Sequence, residues 1–247
     1  MPEQSPVVLI TGAARRIGAA TALRMHGRGY RVIIHYQHSA ADAEKLCATL
    51  NATRPDSAHT LQANLLDIDS IAQLAETSIA HWGQLDALVN NASSFYPTPL
   101  ATATNTQWDD LIGSNLKGPF FLCQALASEL KKRSGSIVNI ADIHAHQPLS
   151  NHSIYCIAKA GNKMLTKTLA KDLAPNVRVN GIAPGVILWP ENDAQENDAQ
   201  ESLIKTIPLQ RMGNSEDITR LAEFFVADAS YITGQTIAVD GGKHLIY

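Results

Sequence analysis

Short runs of β-branched and apolar residues return along this chain, separated by stretches with helical periodicity. The first, Val7-Val8-Leu9-Ile10, is continuous and not alternating, as expected of a strand buried on both faces of a parallel sheet. Further strands are predicted at 31–35, near 60–63, and at 85–90, 136–140, 177–182 and 236–239. Helices are predicted to about residue 28, over 40–51 and 68–81, and through a long region between 108 and 132. Two more cover the segment carrying Tyr155 and residues 216–228. Such alternation from end to end implies parallel strands with crossover helices on both faces. The expected architecture is α/β, a Rossmann-type doubly wound parallel sheet of about seven strands. No linker or composition break divides the 247 residues, so residues 1–247 are expected to form one domain.

One segment falls outside this pattern. Residues Glu191 to Gln200 read Glu-Asn-Asp-Ala-Gln twice in tandem. So polar a stretch buries little surface, and a mobile lid or an exposed loop or loop-helix is expected over 191–201, with a solvated loop of no catalytic consequence as the other reading.

Charge and cysteine content remove several classes of function. A formal net charge of −3 provides no basic footprint for nucleic acid or an anionic membrane. No apolar run approaches a membrane span, and the first residues lack the charged start of a secretory signal. The three cysteines, Cys47, Cys123 and Cys156, are odd in number and lack metal-type spacing, which points to a reducing, cytoplasmic setting and to no metal site.

The first strand runs directly into Thr11-Gly12-Ala13-Ala14-Arg15-Arg16-Ile17-Gly18 and then a helix. Strand, glycine turn and helix in that order are the context of a dinucleotide site, in which backbone N–H groups and the helix N-terminus favour a pyrophosphate. A site for NAD usually places a carboxylate on the ribose about 20 residues after the turn. Here the second strand ends in His35-Tyr36-Gln37-His38-Ser39, with no acid before Asp42, and Arg15 and Arg16 add two cations. A missing anion and added cations suit the 2′-phosphate of NADPH.

Tyr155 and Lys159 stand four apart on a predicted helix and so share one face. The phenol can act as a general acid, and an ammonium beside it is expected to lower a pKa that is otherwise about 10.

Taken together these features resemble the short-chain dehydrogenase/reductase family over nearly the whole chain. Its motifs occur in order: the 12–18 turn, Asn90-Asn91-Ala92, Asn115, Tyr155 with Lys159, Arg178-Val179-Asn180 and Pro184-Gly185. Ile232-Thr233-Gly234-Gln235, ahead of Val239-Asp240-Gly241-Gly242, completes them. Two positions depart from the usual pattern. Arg16 replaces the middle glycine of the turn, and Asp142 stands thirteen residues before Tyr155, where a catalytic serine is expected. Both departures, and the segment Asn91-Ala92-Ser93-Ser94-Phe95-Tyr96-Pro97-Thr98-Pro99, resemble the pteridine reductases of the family.

That resemblance implies reduction of a dihydropterin, with dihydrofolate as a further candidate, by a homotetramer using NADPH. Tyr155 is implied as proton donor, Lys159 as ligand of the nicotinamide ribose, Asn115 as holder of a water relay, and Asp142 as the group that orients Tyr155 and touches the pterin. Phe95 is implied to stack on the substrate and Ser93 to contact both substrate and cofactor. Cofactor contacts are implied for Gly12, Arg15, Arg16, Ile17 and Gly18, for His35, Tyr36, His38 and Ser39, and for Asn64 and Leu65. Asn91, Ala92 and Ser93, Tyr155 and Lys159, and Pro184, Gly185 and Val186 complete that set. A carboxylate suits a pterin, whose ring N–H and amino groups are donors, whereas a ketone gains more from a hydroxyl. The alternatives are a carbonyl reductase, such as one acting on 3-oxoacyl thioesters, and a dinucleotide-binding protein without catalysis. His144 and His146 read as exposed loop histidines, and Trp189 either lines the pocket or covers the core.

Overall fold

The computed structural model describes residues 5–187 and 197–246. Seven strands form one all-parallel sheet: β1 (Val7–Ile10), β2 (Arg31–Tyr36), β3 (Ala58–Gln62), β4 (Ala87–Asn90), β5 (Ser136–Ile140), β6 (Arg178–Pro184) and β7 (Thr236–Val239). Their spatial order is β3-β2-β1-β4-β5-β6-β7, so the sheet is wound in one direction from β1 and in the other from β4. The helices are α1 (Arg16–Gly27), α2 (Ala40–Thr53), α3 (Ile68–Trp82), α4 (Asn105–Ile112), α5 (Gly118–Lys132), α6 (Ser153–Asp172), α7 (Asn197–Lys205) and α8 (Ser215–Glu223).

The continuous apolar run of β1 is explained by the two cores. Val7 and Leu9 pack with Leu74, Leu126 and Leu165, on the face covered by α3, α5 and α6. Val8 and Ile10 pack with Met25, Leu50 and Ile218, on the face covered by α1, α2 and α8. A strand whose alternate residues point to opposite faces must be apolar throughout when both faces are covered.

The predicted helix between 108 and 132 is two helices joined by a wide turn. It starts earlier, because Thr104 caps α4 by accepting from the Gln107 N–H while the Gln107 side chain accepts from Thr104 N–H. Residues Gly113–Lys117 then take the i→i+5 spacing of a π-helical turn before α5 begins. Glycines open that turn and follow it: a Cβ at Gly118 would lie 2.7 Å from the Leu65 carbonyl, and one at Gly113 would displace the end of the Leu66 side chain, 2.4 Å away. The helix predicted over 216–228 likewise ends in a wide turn, at Phe224–Asp228. Of the tandem segment, 191–196 and also Trp189 lie outside the described residues, while 197–200 belong to α7. Among the described residues no helix is long and apolar enough to cross a membrane.

Candidate active site

β1 and β4 are neighbours whose following helices leave to opposite faces, and the loops after them border a crevice. Thr11 joins the two strand ends: its N–H donates to Val89 O (3.0 Å), and its Oγ1 accepts from the N–H groups of Asn91 (2.9 Å) and Ala92 (3.0 Å). Asn91 returns the contact, its Nδ2 donating to the carbonyls of Thr11 (2.9 Å) and Gly12 (3.1 Å). Gly12 is forced by conformation and by space, since its φ is +61° and a Cβ there would stand 2.9 Å from Ala92 Cα. At Gly18 a Cβ would meet the Gly12 carbonyl oxygen at 2.2 Å. Arg16, in place of the glycine usual for the family, keeps the glycine-like conformation with φ +53°. That left-handed geometry costs a non-glycine residue about 1 kcal/mol.

The crevice has a volume of about 430 Å³ and is lined by most of the expected cofactor residues. Gly12, Arg15, Arg16, Ile17 and Gly18 line it from the turn, and His35, Tyr36, His38 and Ser39 from the end of β2. Leu65, Asn91, Ala92 and Ser93 close it from the β3 and β4 ends. Arg15 is exposed, with Nε 3.7 Å from the Asp42 carboxylate.

His35 lines the crevice, and its ring is bonded within the protein. It is 2% exposed. Its Nδ1 accepts from the Gly12 N–H (3.1 Å), and its Nε2–H donates to Ala63 O (3.2 Å). Burial pushes its pKa down to about 4, so the ring is neutral and serves to hold the glycine turn. Asn64 does not line the crevice: its Oδ1 accepts from Gln37 Nε2 and Leu66 N–H, both at 3.1 Å. Pro184, Gly185 and Val186 leave the end of β6, where Gly185 N–H donates to Val239 O (3.0 Å) and Val186 O accepts from Gly213 N–H (2.9 Å). They too lie outside the lining of the crevice.

Asp142, Ser93, Asn115, Tyr155 and Lys159 converge from four elements. The Tyr155 phenol donates to Asp142 Oδ2 (2.7 Å), while Asp142 Oδ1 accepts from the His144 N–H (2.8 Å) and caps the short turn at Ile143–Ala145. Lys159 Nζ is buried, donates to Ile140 O (3.0 Å) and lies 5.6 Å from the centre of the Tyr155 ring. Ser93 Oγ donates to Asn115 Oδ1 (2.6 Å), and Asn115 Nδ2 donates to the carbonyls of Ser94 and Leu111, both at 3.0 Å. Phe95 is 54% exposed and meets Tyr155 edge-on at 4.8 Å while its face lies against His152 at 4.9 Å. Of the loop histidines, His146 is exposed beside Lys163, whereas His144 is half-buried with its ring bonded to Gln147 O.

Electrostatics overturn one expectation. The Tyr155 pKa is raised, by burial first and then by the Asp142 carboxylate, and Lys159 is not among its perturbing groups. Burial in turn lowers the Lys159 ammonium to about 8, with Asp142 pulling the other way. The phenol is therefore held protonated, already donating toward a carboxylate, and can give up a proton once a stronger base is brought to it.

Asp110, Ser114, Gln37 and Leu66 also line the crevice and were not anticipated. Asp110 accepts from Tyr96 OH (2.8 Å) and Ser94 Oγ (3.3 Å), tying the 93–96 loop to α4. Its spacing five residues before Asn115 was the available signal.

A glycine turn at the switch point of a parallel sheet, leading to a buried Tyr–Lys pair, defines a dinucleotide-dependent oxidoreductase. The chain belongs to the short-chain dehydrogenase/reductase family, whose members use NAD(P)H. Residues 12–244 match the family model described as enoyl-(acyl carrier protein) reductase. The chain is 38% identical to pteridine reductase 1 of Leishmania tarentolae, over 98% of this chain and 97% of that one. It is 37% identical to a 3-oxoacyl-(acyl-carrier-protein) reductase of Staphylococcus aureus, over 96% of this chain and 97% of that one.

Proposed function

We propose that the enzyme reduces a dihydropterin, or a related pterin such as dihydrofolate, to the tetrahydro form with NADPH. The observation that carries this reading is Asp142, a carboxylate at the position of the family's serine, hydrogen-bonded to the Tyr155 phenol at 2.7 Å. A carboxylate beside the proton donor is complementary to the amino and ring N–H groups of a pterin and repels the electron-rich oxygen of a ketone.

The residues present fit the cofactor. The crevice follows the 12–18 turn, whose two glycines leave room for close backbone approach, and Arg15 and Arg16 stand where a 2′-phosphate needs cations. Bound NADPH supplies the hydride. Lys159 holds the nicotinamide ribose, the half-exposed Phe95 ring stacks on a flat substrate, and Ser93 contacts both substrate and cofactor. Tyr155 delivers the proton to the ring nitrogen next to the reduced carbon, and Asn115 holds the water that returns one. Asp142 orients the phenol and accepts from the pterin. A homotetrameric assembly belongs to the same proposal.

The second reading, reduction of a 3-oxoacyl thioester, is favoured by the similar identity to the staphylococcal reductase. NADPH oxidation measured with dihydrobiopterin and with an acetoacetyl thioester separates the two. The pterin is expected to be the better substrate by kcat/KM, and Asp142→Ser is expected to lower that value about 100-fold without a loss of fold. A wild-type preference for the thioester refutes the pterin assignment.

A further inference from the structure

Helix α6 carries a third polar residue on the face of Tyr155 and Lys159. Asn162 follows Lys159 by three positions and Tyr155 by seven, the spacing that puts all three on one side of a helix. It is 2% exposed. Its Nδ2 donates to the backbone carbonyl of Asn115 (3.0 Å), across 47 residues of sequence, inside the wide turn Gly113–Lys117. The neighbouring Gly161 is what lets α6 approach so closely, since a Cβ there would stand 2.6 Å from the Leu116 side chain.

Asn115 is thereby held at both ends. Ser93, Ser94 and Leu111 fix its side chain, and Asn162 fixes its carbonyl. On its other side α6 is tied to β5. Lys159 donates to Ile140 O (3.0 Å), and Asn139 Nδ2 donates to Thr166 Oγ1 (3.0 Å), which itself donates to Asn162 O (3.2 Å). Among the described residues Asn162 Oδ1 is buried without a hydrogen-bond partner. A leucine of similar volume would fill this seam without the unpaired amide oxygen, but the Asn115 carbonyl would lose its bond from α6. The amide is explained by the one side-chain bond it makes, which sets the wide turn relative to the catalytic helix.

We propose that Asn162 is a positioning residue for the proton-transfer side of the reaction, registering the helix of Tyr155 and Lys159 against the turn of Asn115. The inference rests on the reading that these three residues move the proton, and it does not depend on which substrate is reduced.

The test is Asn162→Leu, with Asn162→Asp as a variant that keeps the shape and removes the donor. NADPH affinity is expected to stay within about twofold of wild type, while kcat falls about tenfold or more with KM within about threefold. The alkaline limb of the pH profile is expected to move by about half a pH unit, as is the titration of the Lys159 ε-carbon followed by NMR in 13C-lysine-labelled protein. A folded Asn162→Leu with unchanged kcat and unchanged Lys159 titration overturns the proposal. Parallel losses of thermal stability and NADPH affinity also overturn it, since they indicate packing alone. If wild type reduces neither a pterin nor a thioester, the functional reading fails, and the lysine titration still decides the role of Asn162.

Discussion

At the 12–18 turn the parts held fast are backbone atoms. Gly12 and Gly18 sit where a Cβ would collide with Ala92 and with the Gly12 carbonyl, a neutral His35 pins the Gly12 N–H, and the cations facing the crevice, Arg15 and Arg16, are exposed. At Tyr155 and Lys159, which lie outside the lining of that crevice, the arrangement is reversed. Tyr155 and Lys159 are buried, their polar atoms are tied to Asp142 and Ile140, and burial shifts both pKa values away from the charged forms. A site that only has to bind can leave its charges in water, where they select a ligand at modest gain. A site that has to move a proton needs its donor desolvated and fixed, which concentrates a large effect in few atoms. Changes at the catalytic end should therefore act on kcat, and changes at the turn on affinity and cofactor choice.

The sharpest test of this division is Tyr155→Phe, which removes one hydroxyl and keeps the ring that Phe95 meets edge-on. Turnover is expected to fall about 10³-fold, within the usual range for loss of a general acid. NADPH titrated by fluorescence should bind as in wild type. Residual activity near wild type would show that the proton comes from elsewhere.

Next in size is Gly18→Ala. With the new Cβ at 2.2 Å from a backbone oxygen no flexible side chain can yield, so the turn itself must move. Overpacking of this kind destabilises by roughly 1–3 kcal/mol. NADPH affinity is expected to drop about 100-fold, while the Tyr155–Asp142 contact, built from other elements, persists. Isothermal titration and thermal unfolding measure the two effects, and undiminished NADPH affinity would remove the turn from the cofactor site.

How far the sequence could be read follows the same division between local and long-range. β1 was visible because burial on both faces makes it apolar at every position, and β2 through its buried run Val32-Ile33-Ile34. The glycine turn and the Tyr155–Lys159 pair were visible because their spacing is local, and the contact of Asp142 with Tyr155 was readable as a substituted family position. The turn of the His35 ring back to Gly12 and Ala63 was not legible, because a histidine at the end of β2 looks the same in sequence whichever way its ring faces. Neither the wide turn at Gly113–Lys117 nor the bond from Asn162 to Asn115 has a local signature, since both depend on what packs against α4 and α6. The direction of the Tyr155 shift was lost for a related reason. Spacing along a helix shows that Lys159 is near, but not that Asp142 is nearer to the hydroxyl.

The buried lysine predicts opposite responses of activity and stability to alkaline pH. Lys159 is charged below about 8 and neutral above it, so kcat/KM should fall as pH rises through that value. An unfolded lysine titrates near 10.4, so between about 8 and 10 the unfolded chain binds the extra proton, and by linkage this group makes the protein more stable as pH rises. The gain is at most about 3 kcal/mol. Chemical denaturation and steady-state rates measured over the same pH series check the two slopes. An activity limb that appears only above pH 10 would mean that the ammonium is not desolvated as its burial requires.

The smallest effect is expected where side chain and backbone preferences conflict, at Arg16. Its φ of +53° is strained by about 1 kcal/mol, which glycine relieves, while glycine gives back about 0.4–1 kcal/mol through the freedom of the unfolded chain. Arg16→Gly should therefore leave thermal stability almost unchanged. If the arginine is kept at this strained position for its charge, the variant loses part of its preference for NADPH over NADH, by about tenfold or somewhat more, the scale of one charge-assisted contact. Ratios of kcat/KM for the two cofactors, measured beside unfolding curves, test this directly. An unchanged ratio would place the burden of cofactor choice on Arg15 and the end of β2, and a large loss of stability would mean that Arg16 holds the turn, erasing the contrast between the turn and the catalytic residues.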